Sequence, residues 1–271
     1  MLIDLHTHTT ASDGTFAPND LIALAKQKKV EILSITDHDA VDGLDELANL
    51  PEELVFISGV EISAEFPKTL HILGYGFDEK NQALRKTLND LQEFRKNRNL
   101  KMINNMKKYG FDISWEELKE EAKGEIVGRP HFANIMFRKG YVDTYQEAFD
   151  KYLKKGAPLY LNKKRLEPDK AIELILNADG IPVMAHPYQT KLDDKELEKL
   201  VKQLKDFGLM GIEVFYSQHS DKQIKQYLEY SQKYDLLITG GSDFHGENKP
   251  EIKLGQNVFY NYIFNFLHKV L

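Results

Sequence analysis

The feature that most limits the fold is a regular alternation of short apolar segments with amphipathic ones. Strand-like segments lie at Leu2–His8, Val30–Thr36, Leu54–Ile57, His71–Tyr75, Ile181–Ala185, Gly211–Phe215 and Leu236–Thr239. Helix-like segments lie at Asn19–Lys29, Pro168–Ala178, Asp193–Phe207 and Ser220–Tyr234. Strands that alternate with helices predict an α/β fold with a parallel sheet. The number of repeats favours a closed barrel over an open sheet.

The middle of the chain has a different pattern. It predicts a long helix over Asn81–Tyr109 and shorter helices at Ser114–Glu121, His131–Lys139 and Thr144–Lys155. We therefore expect a barrel domain made of residues 1–78 and 166–271, with a helical insertion at residues 79–165. An insertion that follows a strand end would lie near the barrel face that carries active sites, and we expect it to cap the site.

Charge and composition narrow the class of protein. The net charge is -6, yet residues 79–165 carry 20 Lys+Arg against 12 Asp+Glu. A basic segment on an acidic scaffold suits an anionic ligand, although a solvated helical surface explains the same excess. The absence of cysteine excludes disulfides, thiolate metal sites and cysteine nucleophiles. With neither an apolar run of transmembrane length nor a signal-peptide pattern, we expect a cytoplasmic protein that makes no membrane contact.

Histidines and carboxylates recur where the predicted strands end. His6 and His8 are two residues apart on a strand, so their side chains leave the same face. One histidine at a strand end is more often a surface residue than a ligand, but the joint pattern is hard to assign to chance. The predicted metal ligands are His6, His8, Asp13, His38, Glu61, His71, His186, Asp243 and His245.

The donor set indicates which metals would bind. Imidazole and carboxylate without thiolate suit Mn, Fe or Zn better than Ca or Mg. Nine candidate ligands exceed what one ion can use, so we expect two or three divalent cations. Adjacent cations can clamp the attacking and leaving oxygens of an in-line displacement, and a metal-bound water can serve as the nucleophile.

The stretches DLHTHTTASDG, SITDHDAVDGL, GVEIS, HILGYGF, VMAHP and GGSDFHG resemble the PHP (polymerase and histidinol phosphatase) superfamily. The resemblance extends from Leu2 to Gly246 and implies a distorted (β/α)7 TIM-like barrel with a helical insertion. It is strongest for the branch of metal-dependent phosphoesterases that remove the 3′-phosphate of 3′,5′-nucleoside bisphosphates. Some members of that branch also trim short RNA from its 5′ end. The implied partners are a small phosphorylated nucleotide and short 5′-phosphorylated RNA, with no obligate protein partner.

The resemblance also implies how the ligands divide among three cations. The first would be held by His6, His8, Glu61 and Asp243, the second by Asp13, His38 and His245, and the third by Glu61, His71 and His186. Many relatives have histidine where this chain has Asp13, so the second site is harder and poorer in imidazole. We also predict that Asp13 and His245 of this second site are catalytic residues.

Candidate substrate contacts lie mainly in the insertion. Arg95 and Arg98 interrupt an apolar stripe of the long helix, so they either extend outward or face an anion. Arg129 and His131 belong to a Gly-Arg-Pro-His element that the resembling branch carries, and they offer donors for a phosphate. His219 also matches the branch. It would contact the substrate or protonate the leaving oxygen as a catalytic residue, or else support the ligands.

Three other functions use a similar set of residues. Hydrolysis of L-histidinol phosphate is the first, because other PHP members perform it on the same metal ligands. An amidohydrolase barrel also begins with His-x-His, but it usually bridges its metals with a carboxylated lysine where this chain has Glu61. A metal-binding module without activity is the third, and the intact ligand set speaks against it.

Overall fold

The computed structural model describes residues 1–48, 50–122 and 127–271. Its strands are β1 (Leu2–Asp4), β2 (Ile32–Ile35), β3 (Val55–Ser63), β4 (His71–Tyr75), β5 (Ile181–Met184), β6 (Gly211–Tyr216), β7 (Leu237–Gly241) and β8 (Gln256–Asn257). Its α-helices are α1 (Pro18–Gln27), α2 (Asp42–Asp45), α3 (Gln82–Lys107), α4 (Trp115–Ala122), α5 (Arg129–Arg138), α6 (Tyr145–Ala148), α7 (Pro168–Leu176), α8 (Asp194–Asp206), α9 (Asp221–Lys233) and α10 (Tyr260–Val270). Single turns of other helix types lie at Phe149–Leu153, Pro187–Thr190 and Gly246–Asn248.

The strands form one sheet in the order β7-β6-β5-β4-β3-β2-β1-β8. The chain beyond β1 stays extended and bonds to the end of β7, which nearly closes the sheet into a barrel. Asp243 N donates to His6 O at 2.8 Å, and His8 N donates to Phe244 O at 2.9 Å. The predicted α/β barrel is therefore confirmed, although the first strand ends at Asp4 rather than at His8.

The fourth strand departs from the all-parallel prediction. β4 runs antiparallel to both β3 and β5, while β1–β2–β3 and β5–β6–β7 are parallel. His71 opens β4 and lies opposite Ser63, the last residue of β3. Because of this reversal, the beginning of β4 reaches the same edge of the barrel as the carboxyl ends of its parallel neighbours.

The third strand is longer than predicted. The sequence predicts a strand that ends at Ile57, before Glu61, but β3 continues to Ser63 and contains Glu61. Gly59, which lies within β3, allows the close approach of β2. A Cβ at Gly59 would lie 2.3 Å from Ser34 Oγ and 2.6 Å from Ile35 O. The glycine is therefore a packing requirement within the sheet.

The buried side chains follow the alternation of the strands. Neighbours such as Ile32 and Leu33, or Leu73 and Ile72, belong to two different apolar clusters, as expected for residues on opposite faces of a sheet. Phe266 of α10 packs in the cluster of Ile32 and Leu73. Helices α8 and α9 begin with capping boxes at Asp193/Glu196 and Ser220/Gln223, which satisfy backbone donors at their first turns.

The chain divides into two compact units. The first contains Met1–Asn89 and Arg165–Leu271, and it includes the barrel. Leu84 and Leu88, at the start of α3, pack in its core. The second unit is Asp90–Lys164, with its own apolar core around Met102, Phe132 and Ile135. In the part of the chain described here, no helix combines the length and apolar character needed to cross a membrane.

Candidate metal centre

Glu61 is the centre of a buried cluster at the carboxyl edge of the barrel. Its side chain has no exposed surface, and its Oε1 lies 2.8 Å from His71 Nδ1 and 2.9 Å from His186 Nε2. Its Oε2 lies 2.9 Å from His38 Nδ1, 3.3 Å from His8 Nε2 and 3.4 Å from His6 Nε2. Five imidazoles thus surround one carboxylate, and they come from positions separated by up to 180 residues.

Two further carboxylates lie beside these imidazoles. Asp13 Oδ1 is 3.4 Å from His8 Nδ1 and 3.3 Å from His245 Nε2, and Asp13 Oδ2 is 3.5 Å from His38 Nε2. Asp243 Oδ1 is 3.2 Å from His8 Nε2 and 3.4 Å from His245 Nδ1. The structure therefore brings together all nine residues that the sequence singles out.

The donor atoms form four overlapping groups, within each of which the atoms lie no more than 4.8 Å apart. The groups are His8-Asp13-His38-His245, His6-Glu61-His186, His6-His8-Asp243 and His38-Glu61-His71. They differ in detail from the division that the resemblance implies, since His8 joins the Asp13 group and His38 joins the group of His71. Such overlapping groups can hold metal ions.

Unsatisfied polar atoms test whether metal ions fit this cluster. Four of its atoms are buried and have no hydrogen-bond partner, namely His6 Nε2, His8 Nε2, His38 Nδ1 and Glu61 Oε2. A buried polar atom without a partner costs free energy, so such atoms are rare and need an explanation. Here the three nitrogens all face the same carboxylate oxygen, at 2.9–3.4 Å. Donor atoms that share a cation lie close together in this way. The residues present therefore fit a metal centre.

The electrostatics favour the metal-binding form at Glu61 and His8 but not at His6 and His38, where nearby carboxylates outweigh burial and raise the pKa, to about 9 at His38. Burial raises the pKa of Glu61, but the nearby His38, His71 and His6 hold this pKa well below its usual range. Glu61 is therefore an ionised carboxylate. Burial, together with His245 and His38, lowers the pKa of His8 to about 3, so His8 is a neutral imidazole at physiological pH. A neutral imidazole and an ionised carboxylate are the forms that bind cations.

Glu213 orients two of the histidines and was missed by the sequence analysis. It is fully buried in β6, where its Oε1 lies 2.9 Å from His6 Nδ1 and its Oε2 accepts a 2.7 Å hydrogen bond from His186 N. When Nδ1 of His6 donates to Glu213, Nε2 of the same ring is left to bind a cation. The available signal was a glutamate inside the apolar strand Gly211–Tyr216, which is unusual without a partner.

Tyr216 and Lys249 support Asp243, although no pattern in the sequence singles out either residue. The Tyr216 hydroxyl and the Lys249 ammonium each donate to Asp243 Oδ2 at 2.8 Å.

Asp243 and His186 also have backbone angles in the left-handed region, with φ of 63° and 22°. Such strain in non-glycine residues is typical of functional sites, where the surroundings hold an unfavourable conformation.

His219, the predicted catalytic residue, lies after β6 but outside the four ligand groups. Its Nδ1 lies 2.9 Å from Val214 O, and its ring packs among Tyr188, Tyr216 and Tyr227. Its Nε2 is buried and has no hydrogen-bond partner. Burial lowers the pKa of His219, so the neutral ring donates through Nδ1 and presents Nε2 as an acceptor.

The predicted substrate contacts lie in the second unit, where each has partners. Arg129 Nη1 donates to Leu153 O at 3.0 Å, and its guanidinium lies 5.1 Å from the centre of the Tyr160 ring. His131 Nδ1 accepts a 3.0 Å hydrogen bond from Gly128 N at the start of α5. Arg98 is 4% exposed and donates twice to Asn99 Oδ1, at 3.1 and 2.6 Å. Arg95 is half-buried. The substrate role of these four residues stays a prediction.

Comparison with known proteins assigns the family. The profile of the PHP domain matches residues 4–162, more than half of the chain. The chain belongs to the PHP family. Six of the nine clustered residues, His6, His8, Asp13, His38, Glu61 and His71, lie inside the matched stretch. The predicted family membership is confirmed.

Two characterised relatives are similar over nearly the whole chain. A 5′-3′ exoribonuclease Rnm of Salmonella typhimurium is 32% identical over 264 residues, which are 96% of this chain and 90% of the relative. A 3′,5′-nucleoside bisphosphate phosphatase of Chromobacterium violaceum is 31% identical over 247 residues, 90% of this chain and 87% of the relative. Both act on phosphoesters, and the prediction of a phosphoester hydrolase is confirmed.

Two solved structures share the fold. One, from Chromobacterium violaceum, is named an amidohydrolase with bound sulfate and no metal, and it has 28% identity and a TM-score of 0.78 over 99% of this chain and 96% of its own. The other, from Bifidobacterium adolescentis, is named a metal-dependent phosphoesterase, and it has 28% identity and a TM-score of 0.77 over 98% of this chain and 95% of its own. The barrel described above is therefore the PHP fold.

Proposed function

We propose that this protein hydrolyses the 3′-phosphate of 3′,5′-nucleoside bisphosphates and also shortens 5′-phosphorylated RNA from its 5′ end. The observation that carries the proposal is the clustering of nine ligand-type residues, with Glu61 at the centre and with four buried polar atoms that lack hydrogen bonds. The names of the two characterised relatives support these substrates.

The cluster would hold two or three cations, of Mn, Fe or Zn. His6, His8, Glu61 and Asp243 would hold one, Asp13, His38 and His245 a second, and Glu61, His71 and His186 a third. When bound, such ions supply an activated water and a positive clamp for the phosphate oxygens. The imidazole-rich donor set without thiolate favours these metals over Ca and Mg.

Residues around the cluster have separate tasks in this proposal. Glu213 fixes the ring of His6, and Tyr216 with Lys249 fixes the carboxylate of Asp243. His219 presents an acceptor nitrogen, so it would receive a hydrogen bond from a substrate hydroxyl or a water. That geometry supports a substrate contact better than the donation of a proton to the leaving oxygen, because the proton of the neutral ring is already bonded to Val214 O.

The remote phosphate would be bound by residues of the insertion at 79–165. Arg129 and His131 are the first candidates, followed by Arg95, whereas the burial of the Arg98 guanidinium against Asn99 favours a structural role for that residue. The excess of 20 Lys+Arg over 12 Asp+Glu in this stretch supports binding of an anion. A guanidinium has five donors, and the Tyr160 ring with Leu153 O holds that of Arg129 in one orientation. Binding energy from the 5′-phosphate would position the 3′-phosphate for reaction.

The experiment compares adenosine 3′,5′-bisphosphate, adenosine 3′-monophosphate, histidinol phosphate and a short 5′-phosphorylated RNA, each with Mn²⁺ and with a chelator. We expect metal-dependent phosphate release that is fastest with the bisphosphate. Equal kcat/KM for the bisphosphate and the 3′-monophosphate would refute the role of the second phosphate. A preference for histidinol phosphate would assign the protein to amino-acid biosynthesis instead.

The RNA arm tests the second activity by itself. Release of 5′-mononucleotides from the RNA would support exoribonuclease action, and an intact RNA beside rapid bisphosphate hydrolysis would restrict the function to nucleotides. An amidohydrolase reaction has less support, because Glu61 occupies the bridging position where that class usually has a carboxylated lysine.

A further inference from the structure

The two oxygens of the Asp243 carboxylate have different surroundings. Oδ1 faces three imidazole nitrogens, at 3.2 Å from His8, 3.4 Å from His245 and 3.6 Å from His6. Oδ2 accepts hydrogen bonds from the Tyr216 hydroxyl and the Lys249 ammonium, both at 2.8 Å. One oxygen thus belongs to the ligand cluster, while the other is occupied by donors that are not ligands.

Lys249 reaches Asp243 from a fixed turn. The turn Gly246–Asn248 follows the ligand His245, and its backbone and side chains bond to the loop that carries Asp13. Glu247 N donates to Thr15 Oγ1 at 2.9 Å, and Asn248 Nδ2 donates to Asp13 O at 2.8 Å. Gly246 has φ of 68°, and a Cβ there would lie 2.1 Å from Thr15 Oγ1. The position of Lys249 is therefore set by the same contacts that hold two ligand loops together.

The contact between Lys249 and Asp243 is not an ordinary surface ion pair. The Asp243 side chain is 6% exposed and that of Lys249 is 36% exposed. Exposed ion pairs contribute little, but a carboxylate buried to this extent needs its lone pairs satisfied. Asp13, Glu61 and Glu213 add three more carboxylates within contact of the same histidines. A fixed ammonium next to this cluster offsets part of the negative charge and leaves one oxygen of Asp243 for a cation.

We propose that Lys249 is a positioning residue for the metal centre. Together with Tyr216 it holds Oδ2 of Asp243, so that Oδ1 is the oxygen presented to the cation shared with His6 and His8. The proposal rests on the metal-dependent function proposed above. Groups that orient a ligand from outside typically change metal affinity or activity by about 10- to 100-fold when they are removed. Lys249 does not touch the substrate in this account.

A competing role for Lys249 predicts the opposite effect. If its ammonium merely took the place of a cation at Asp243, removal of the lysine would free the carboxylate and strengthen metal binding. The direction of the change in Mn²⁺ affinity therefore separates a positioning residue from a competitor.

The test is titration of metal-stripped protein with Mn²⁺ by calorimetry, for the wild type and for Lys249→Met. We expect Lys249→Met to bind Mn²⁺ about 10- to 100-fold more weakly. Lys249→Arg should recover most of the affinity, since it keeps a charged donor. Tyr216→Phe removes the other donor to Oδ2 and should weaken binding in the same direction. The matched control is Lys253→Met, because Lys253 lies four residues away and donates to Pro250 O outside the cluster.

Each outcome has a defined consequence. Unchanged or tighter Mn²⁺ binding by Lys249→Met would overturn the proposal while leaving the metal-dependent function intact. A wild-type protein that bound no Mn²⁺, Fe²⁺ or Zn²⁺ would overturn both. If Lys249→Met does not fold, as judged by circular dichroism, Lys249→Gln provides the same loss of charge with a polar side chain and the same expected weakening.

Discussion

The cluster around Glu61 in the barrel and the second unit both contain buried charged groups, but the hydrogen bonding of these groups differs. Around Glu61, three imidazole nitrogens and a carboxylate oxygen are buried without hydrogen bonds. In the second unit Arg98 is also buried, yet it donates twice to Asn99, whose own Nδ2 donates to Val127 O. Among the described residues of that unit, every buried side-chain nitrogen and oxygen has a partner.

This difference in hydrogen bonding distinguishes groups that are available to bind a ligand from groups that stabilise the fold. A buried polar atom with a protein partner has already recovered its desolvation cost, whereas one without a partner recovers that cost only when something else binds. Clusters of such atoms are therefore better indicators of a ligand site than buried charge alone.

Glu61→Gln should have the largest effect. It removes the charge that five imidazoles surround, so we expect the loss of bound metal and a fall in kcat/KM of at least about two orders of magnitude. Metal content by mass spectrometry and phosphate release measure the two effects. Glu65→Gln, on an exposed residue just after β3, is the control and should change neither. Full activity in Glu61→Gln with less than one metal per chain would refute the metal centre.

Glu213→Gln should have the next effect, because it acts through His6 and His186 rather than on the cation itself. We expect metal affinity or turnover to fall by about 10- to 100-fold. Titration with Mn²⁺ measures this change, and Glu198→Gln on α8 is a control for the loss of one surface charge. A variant that unfolds at a lower temperature but binds Mn²⁺ as the wild type does would show that Glu213 only stabilises the barrel.

Arg129→Ala tests the second unit for a substrate contact. We expect kcat/KM for the bisphosphate to fall by about one to two orders of magnitude, equivalent to roughly 1.5–3 kcal/mol for a charge-assisted contact, with metal content unchanged. Arg138→Ala is the matched control, since Arg138 lies at the other end of α5 and pairs with Glu121. Lower thermal stability with unchanged kinetics would assign Arg129 to the packing of Leu153 and Tyr160.

Arg98→Met should affect turnover least. Its guanidinium is buried against Asn99, so removal leaves the Asn99 carbonyl oxygen without its donor and should lower the free energy of unfolding by about 1–3 kcal/mol. We expect kcat/KM to change less than twofold once the protein is folded. A large kinetic effect would show that a buried charged group with a protein partner also serves the substrate, and would weaken the comparison between the two regions.

The sequence was sufficient to find the residues that cluster, because strand ends and two-residue spacing place side chains predictably. The two-residue spacing places His6 with His8, and Asp243 with His245, on a common face, but only the joint pattern along the chain singles them out as candidate ligands. The direction of β4 was not predictable, since an antiparallel strand has the same apolar pattern as a parallel one. The role of Gly59 was not predictable either, because only its distance to Ser34 in the folded chain shows that it permits strand packing.

The supporting residues were harder to find for a related reason. Glu213 and Lys249 act through contacts with His6 and Asp243, and no local pattern connects such distant positions. A glutamate within an apolar strand indicates that the residue has a buried partner, but the sequence does not show which residue that partner is. Lys249 follows a ligand motif within a polar loop and looks like many surface lysines. Only the folded arrangement shows that its ammonium lies against a buried carboxylate.

The closure of the barrel has a consequence for how the chain folds. The first and last parallel strands meet through Asp243 N and His6 O, and Ser242 N bonds to Asp4 across 238 positions of sequence. Contacts with such separation form late, because the intervening loop must first lose its entropy. A cation shared by His6, His8 and Asp243 would join the two ends at this seam, as a removable crosslink does. Metal loading would then reinforce a seam that backbone hydrogen bonds already close.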